Sequence, residues 1–202
     1  MKFDKSKKLL VIGRAGMDIY PEPPGTKISD VRDFSTHLGG SAANTCVALS
    51  KLDVSSDLIT CISDDAIGEY IFKKLNDFNI GSDLCRKVDK KFQTQVAVVE
   101  TILKNNQSIL YRNNSCDLQL DIDDIDKINF QDYSAVFISG TALSSNPSRE
   151  AVFYASQKAS TFNIPLIIDM DYRPYNWESD EIKSNIYKKI MKEMDIIIGN
   201  DL

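Results

Sequence analysis

Apolar residues recur along the chain in short blocks with two different periods. Lys8–Ile12, Ser56–Ile62, Ala135–Ser139, Pro165–Met170 and Asp195–Ile198 are nearly continuous apolar runs of strand length, several ended by glycine or by a polar turn. Such runs predict strands buried on both faces. Between them, Ser41–Lys51, the stretch from Ser63 or Asp64 to about Phe78, Pro147–Phe162 and Ser179–Met194 carry apolar residues at helical spacing. In the second of these, Ile67, Ile71, Phe72 and Leu75 form one stripe, Ser63 or Asp64 is the expected cap, and Asn79-Ile80-Gly81 closes it. Strand and helix therefore alternate from Lys8 onward, which is the pattern of a mostly parallel sheet covered by helices on its faces.

Two segments break the alternation. Thr26–Leu38 and Phe92–Arg112 are rich in β-branched and polar residues, with Asn105-Asn106 as a hairpin turn. They predict a small separate sheet, open on one side, with Arg14–Pro24 as a loop leading into it. The fold class is a three-layer α/β domain with a β lid. A ligand belongs outside the carboxyl ends of the parallel strands. Gly13, Gly140 and Asp169–Arg173 fall at such ends, and so does His37-Leu38-Gly39-Gly40-Ser41-Ala42-Ala43-Asn44. There the glycine pair lets another molecule approach bare backbone, and the new helix aims its first N–H groups into the gap.

Composition narrows the chemistry by exclusion. In 202 residues the net charge is −5, without a basic patch, so nucleic acid is not an expected partner. No apolar run approaches membrane-spanning length, and Met1–Lys8 is charged rather than signal-like. Cys46, Cys61, Cys85 and Cys116 have no metal or redox spacing and read as reduced core thiols of a cytoplasmic protein. With His37 the single histidine, a catalytic triad or histidine metal site is not expected, and no P-loop, complete GxGxxG or HExxH occurs. The acidic stretch Asp117–Asp132 reads as a solvated connection with a short helix.

The candidate site residues follow from position and side-chain type. Asp18, after the first strand, suits paired sugar hydroxyls as an acceptor, and serves equally as a turn former. Arg112, in Tyr111-Arg112-Asn113-Asn114, offers a planar fork to a carboxylate, or is a surface arginine. Arg173 follows a buried strand, with Asp171 either orienting it toward an acidic ligand or bracing the loop locally.

These residues resemble the ribokinase/PfkB family of carbohydrate kinases across essentially the whole chain. The match rests on the first strand with Gly13 and Asp18, the Gly39-Gly40-Ser41-Ala42-Ala43-Asn44 signature, and the lid strands, placed at about 14–38 and 92–112. Tyr111-Arg112 and Asp171-Tyr172-Arg173-Pro174-Tyr175-Asn176-Trp177 resemble the branch acting on keto-deoxy sugar acids. The resemblance implies a small-molecule sugar or sugar acid held by Asp18, Gly39, Gly40, Ser41 and Asn44, with Tyr111, Arg112, Asp171 and Arg173 toward the acid end. It implies ATP as phosphoryl donor, Mg²⁺ bridging its phosphates, and a homodimer through the lid or an exposed sheet edge. It also implies a Gly-Ala-Gly-Asp segment, carrying the general-base aspartate, at a position beyond Leu202. An Asn-x-x-Glu motif would start at Asn200, near the Mg-ATP region, with its Glu one residue past Leu202. No GxGD occurs in the chain. The expectation is therefore a shortened chain holding the sugar half of the site, with no catalytic base and no metal ligand, and inactive alone. A 2-keto-3-deoxygluconate kinase, a fructokinase-like member and a non-catalytic sugar binder are the alternatives.

Overall fold

The computed structural model describes residues 3–199. Two expectations fall outside them: the Mg-ATP role of Asn200, and the general base placed beyond Leu202. In chain order the elements are β1 (Lys8–Ile12), β2 (Gly16–Glu22), β3 (Asp33–Gly39), α1 (Ser41–Lys51), β4 (Ser56–Ser63), α2 (Ala66–Asp77), β5 (Cys85–Val88), β6 (Val96–Val99) and β7 (Ser108–Tyr111). They continue with α3 (Ile122–Asp126), β8 (Tyr133–Ser139), α4 (Ser148–Thr161), β9 (Leu166–Asp169), α5 (Asp180–Ile190) and β10 (Ile196–Ile198).

Six strands form a parallel sheet in the order β10-β9-β8-β1-β4-β5. Side chains alternate across it. Leu10, Ile12, Ile59, Ile138 and Ile168 pack with Ile125, Val152, Ala155 and Ile190 of α3, α4 and α5. Val11, Leu58 and Ile62 point the other way, onto Ala42, Cys46, Ile71 and Leu75 of α1 and α2. Period-two alternation in strands covered on both sides is what makes this a three-layer domain. Alanines and a cysteine on the buried face of α1 let its backbone approach the sheet closely.

The second sheet has the order β3-β2-β6-β7, antiparallel except where β2 runs parallel to β6. It rises from the carboxyl end of β1 and the chain before α1, and forms the expected lid.

Several local expectations are corrected. Arg14–Pro24 is mostly a lid strand, so Asp18 sits on β2 and not on a loop. Asp65, not Ser63 or Asp64, caps α2, accepting from the Gly68 N–H at 2.9 Å. Asn79, the first residue of the expected closing segment, takes the left-handed conformation after it, with φ of 54°. The lid hairpin is no tight turn, because β6 stops at Val99 and β7 begins at Ser108. Glu100 folds back there, accepting from the N–H groups of Ile28 at 2.9 Å and Gln107 at 3.0 Å. Strand β5 is not expected from its charged sequence Cys85-Arg86-Lys87-Val88.

The acidic stretch is also not simply solvated. Asp117 and Asp124 are both buried. Arg86 grips Asp124 in a two-pronged pair, Nε to Oδ1 at 2.7 Å and Nη2 to Oδ2 at 2.8 Å, and reaches the Gln119 carbonyl at 2.7 Å. Burial alone would raise the Asp124 pKa, but hydrogen bonds from Arg86, the Asp121 N–H and Lys127, with the Arg86 charge, outweigh it, and the pKa is lowered. A carboxylate depressed in the folded state stabilises fully above its unfolded value of about 3.9, and less as pH falls through the folded one. Urea melts at pH 7 and pH 3 should therefore show a steeper acid loss for the natural chain than for Arg86→Met. Equal losses would mean the pair contributes nothing to acid stability.

Candidate sugar site

The carboxyl ends of β1, β4, β8 and β9 lie on one side of the parallel sheet, next to the lid. Gly40 makes the turn from lid to helix there, with φ of 93° and ψ of 131°. A side chain at this position would overlap the Arg14 carbonyl oxygen. That carbonyl accepts from the Ala43 N–H at 3.3 Å, tying the first turn of α1 to the end of β1. Ser41 follows, its hydroxyl 2.9 Å from that of Ser139 at the end of β8. Asn44 is exposed on the same first turn of α1.

Asp18 on β2 pairs in register with His37 on β3, and its carboxylate lies against the Cα of Gly39. Burial raises the Asp18 pKa; the Arg14 charge, a hydrogen bond from Tyr20 and His37 oppose this without cancelling it. His37 packs edge-on against Tyr20, ring centres 5.4 Å apart, and contacts Ser35. It is a strand residue of the lid, as its sequence setting suggests.

Asp171 is the hub on the sheet side. Its side chain is 4% exposed; Oδ1 is ion-paired with Arg173 Nη2 at 2.9 Å, and Oδ2 lies 3.3 Å from the Ser139 hydroxyl and 4.0 Å from Arg14 Nη2. Arg14 also donates to Gln95 Oε1 at 2.7 Å. Asp18, Gly39, Gly40, Ser41, Asp171 and Arg173 are thus joined through Ser139 and Arg14.

Arg112 and Asn176 line a cavity of about 460 Å³ with Ser108, Leu110 and Asn113. Arg112 Nη2 holds Asp117 at 2.6 Å, yet among the described residues its buried Nε has no hydrogen-bond partner, and neither has the buried Nδ2 of Asn176. Unpaired buried donors are costly. Tyr111 is not part of this lining and is largely exposed.

Sequence reading misses Arg14, Gln95, Ser139 and Asn176. Ser139 ends a run read as a buried strand, and Asn176 lies in the stretch from Asp171 to Trp177 that carries the family resemblance. No three His, Cys, Asp or Glu side chains among the described residues are grouped to hold a metal ion. No described helix is long and apolar enough to cross a membrane.

A parallel sheet between two helical layers, with a second sheet over its carboxyl ends and a Gly-Gly helix start beneath, is a ribokinase-like architecture. The sequence profile of the pfkB family carbohydrate kinases matches residues 6–202, from Ser6 to Leu202. The chain belongs to that family. It is 36% identical over 198 residues to a 5-dehydro-2-deoxygluconokinase of Photobacterium profundum, covering 98% of this chain and 60% of that protein. A 5-dehydro-2-deoxygluconokinase of Clostridium perfringens is also 36% identical, over 203 residues, again with 60% of its length covered. The chain thus spans about 60% of the length of these curated relatives. Among solved structures, a sugar kinase of Pyrococcus horikoshii superposes with a TM-score of 0.80 at 26% identity, covering 94% of this chain and 64% of that one. A 2-dehydro-3-deoxygluconokinase of Thermotoga maritima shares the fold with a TM-score of 0.85 at 18% identity, covering 96% and 60%.

Proposed function

We propose that this chain supplies the acceptor-sugar site of an ATP-dependent sugar-acid kinase, with 5-dehydro-2-deoxy-D-gluconate as substrate. The observation that carries the reading is one cavity lined by both Arg112 and Asn176, a guanidinium and an amide. An ionised carboxylate has oxygens for both and no proton to offer, which suits it better than a hydroxyl. Relatives named 5-dehydro-2-deoxygluconokinase support the particular acid.

In this reading Asp18 accepts from sugar hydroxyls, and the backbone at Gly39–Ser41 admits the ring close to the start of α1. Arg112, Asn176 and Arg173 hold the acid end. The lid covers the sugar and keeps water from competing for the phosphoryl group. ATP with Mg²⁺ is the donor that this chemistry requires. The described residues offer no cluster fit to hold the metal. A cytoplasmic setting belongs to the same reading. So does a second copy docking through the lid or the β10 edge, where Ile196, Ile197 and Ile198 are exposed; light scattering that gives a monomer at all concentrations would remove that partner.

Thermal melts with 5-dehydro-2-deoxygluconate, 2-keto-3-deoxygluconate, fructose and Mg-ATP test the site. Ligand at 100 times Kd adds about 2.7 kcal/mol, which is several degrees for a domain of this size. One sugar acid should raise the melting temperature and Asp18→Ala should abolish the rise. Because the Asp18 pKa is raised, binding should also fade at a higher pH than an ordinary aspartate would set. A response to fructose alone moves the reading to a fructokinase-like site; a response to ATP alone overturns the assignment of these residues to the sugar.

A further inference from the structure

Arg14 is an arginine that lies immediately beyond Gly13 at the end of β1, where a charged side chain would ordinarily turn to solvent. Instead it is 7% exposed. Its groups meet the start of α1, the lid root and the loop after β9. The carbonyl takes the Ala43 N–H of α1. The guanidinium donates to Gln95 Oε1 at 2.7 Å, just before lid strand β6, and faces Asp171 Oδ2 at 4.0 Å beyond β9. Its charge also acts on Asp18 of β2.

Gln95 is itself 3% exposed and its carbonyl accepts from the Met17 N–H at 3.0 Å, so it joins the roots of β2 and β6. Asp171 is divided between two arginines, with Oδ1 to Arg173 and Oδ2 toward Arg14. Moving Arg14 would therefore disturb the lid root and the loop that aims Arg173 together. The Arg14 charge also opposes, without cancelling, the rise that burial imposes on the Asp18 carboxyl.

We propose that Arg14 is the positioning residue of this site: one buried guanidinium locks the lid root to the Asp171–Arg173 loop and holds Asp18 and Arg173 in register for the sugar acid. The proposal rests on the sugar-site reading above for its ligand, and on the geometry alone for its coupling. The groups facing Asp18 besides Arg14 are Tyr20 from its own strand and His37 from β3. Neither reaches Asp171 or Gln95 in a hydrogen bond among the described contacts.

Two measurements on the purified chain test it. The first needs no ligand. In urea unfolding, Gln95→Ala and Asp171→Asn should be non-additive, the double variant's unfolding constant departing at least threefold from the product of the single effects. In an Arg14→Met background the two effects should multiply. Multiplicative effects in the natural chain would overturn the coupling, whatever the ligand.

The second measurement is titration calorimetry with 5-dehydro-2-deoxygluconate and 2-keto-3-deoxygluconate over a pH series. Arg14→Met keeps the length and apolar stem and should weaken binding of the recognised acid about 30-fold or more. It should also move the acid limb of binding to higher pH, as Asp18 loses its neighbouring cation. Arg14→Lys should restore the limb while leaving binding weaker, because an ammonium replaces the planar fork. An unmoved limb and an unchanged Kd in Arg14→Met would overturn the positioning role. Binding of neither acid by the natural chain would overturn the sugar-acid reading, with the unfolding cycle still deciding the coupling.

Discussion

Asp117→Ala is expected to destabilise the chain by about 3–5 kcal/mol, the usual cost of leaving one member of a buried ion pair without its partner. Arg112 and Asp117 have side chains 7% and 3% exposed and lie 2.6 Å apart, and the Ser115 hydroxyl also donates to Asp117. Removing the carboxylate strands a guanidinium between β7 and the chain leading to α3. Since total stability is roughly 5–15 kcal/mol, urea melts should show a large drop in midpoint. The double variant Arg112→Met/Asp117→Leu should recover most of the loss, because removing both charges removes the desolvation penalty along with the attraction. It should not recover sugar-acid binding, since the guanidinium that lines the cavity is gone. A single-variant cost below about 1 kcal/mol would show that the pair is better hydrated than its burial implies.

Gly40→Ala is the second change with a large expected effect. With φ of 93° and ψ of 131°, the backbone there is in a region that residues with a Cβ avoid, and that Cβ would run into the Arg14 carbonyl. Backbone strain of about 1–3 kcal/mol adds to the clash, so a loss of roughly 2–4 kcal/mol is expected. The start of α1 should shift, and sugar binding with it. Gly25→Ala is the matched control, with φ of 91° in the lid loop and nothing near its added methyl. It should show the strain cost alone and leave binding intact. Equal binding by the two variants would separate the turn at Gly40 from the site.

The central layer was legible because β1, β4, β8 and β9 are continuous apolar runs, which only a strand buried on both faces can use. Helix α1 was legible to its ends because Gly-Gly and a small-residue face leave few other readings. Strand β2 was not, since Pro21 and Pro23 mask its alternation, and only pairing with β3 and β6 makes it a strand. Strand β5 was hidden by Arg86 and Lys87, whose charges are spent on Asp124 and Asp64.

In the proposed site, sequence singles out Asp18, Gly40 and Arg173, where chemistry and turn coincide. It does not single out Arg14 and Gln95, because burial of a polar side chain depends on neighbours far off in sequence. For the same reason Arg112 read equally as a surface residue until Asp117 was found beneath it. Tyr111, beside Arg112 in sequence, points elsewhere, as alternate residues of a strand must.

The parallel pairing of β2 with β6 carries a consequence for recombination among related kinases. Met17, Asp18 and Ile19 are zipped to Val96, Ala97 and Val98, with α1, β4, α2 and β5 lying between them in the chain. The lid is therefore woven from two stretches of the gene rather than inserted as one. A chimera that exchanges only the first stretch would set a foreign β2 against a resident β6, and every outward-facing residue would meet an unselected neighbour. Crossovers that move 16–39 and 96–111 together keep the weave intact. In sequence space the lid is one inherited unit written in two places.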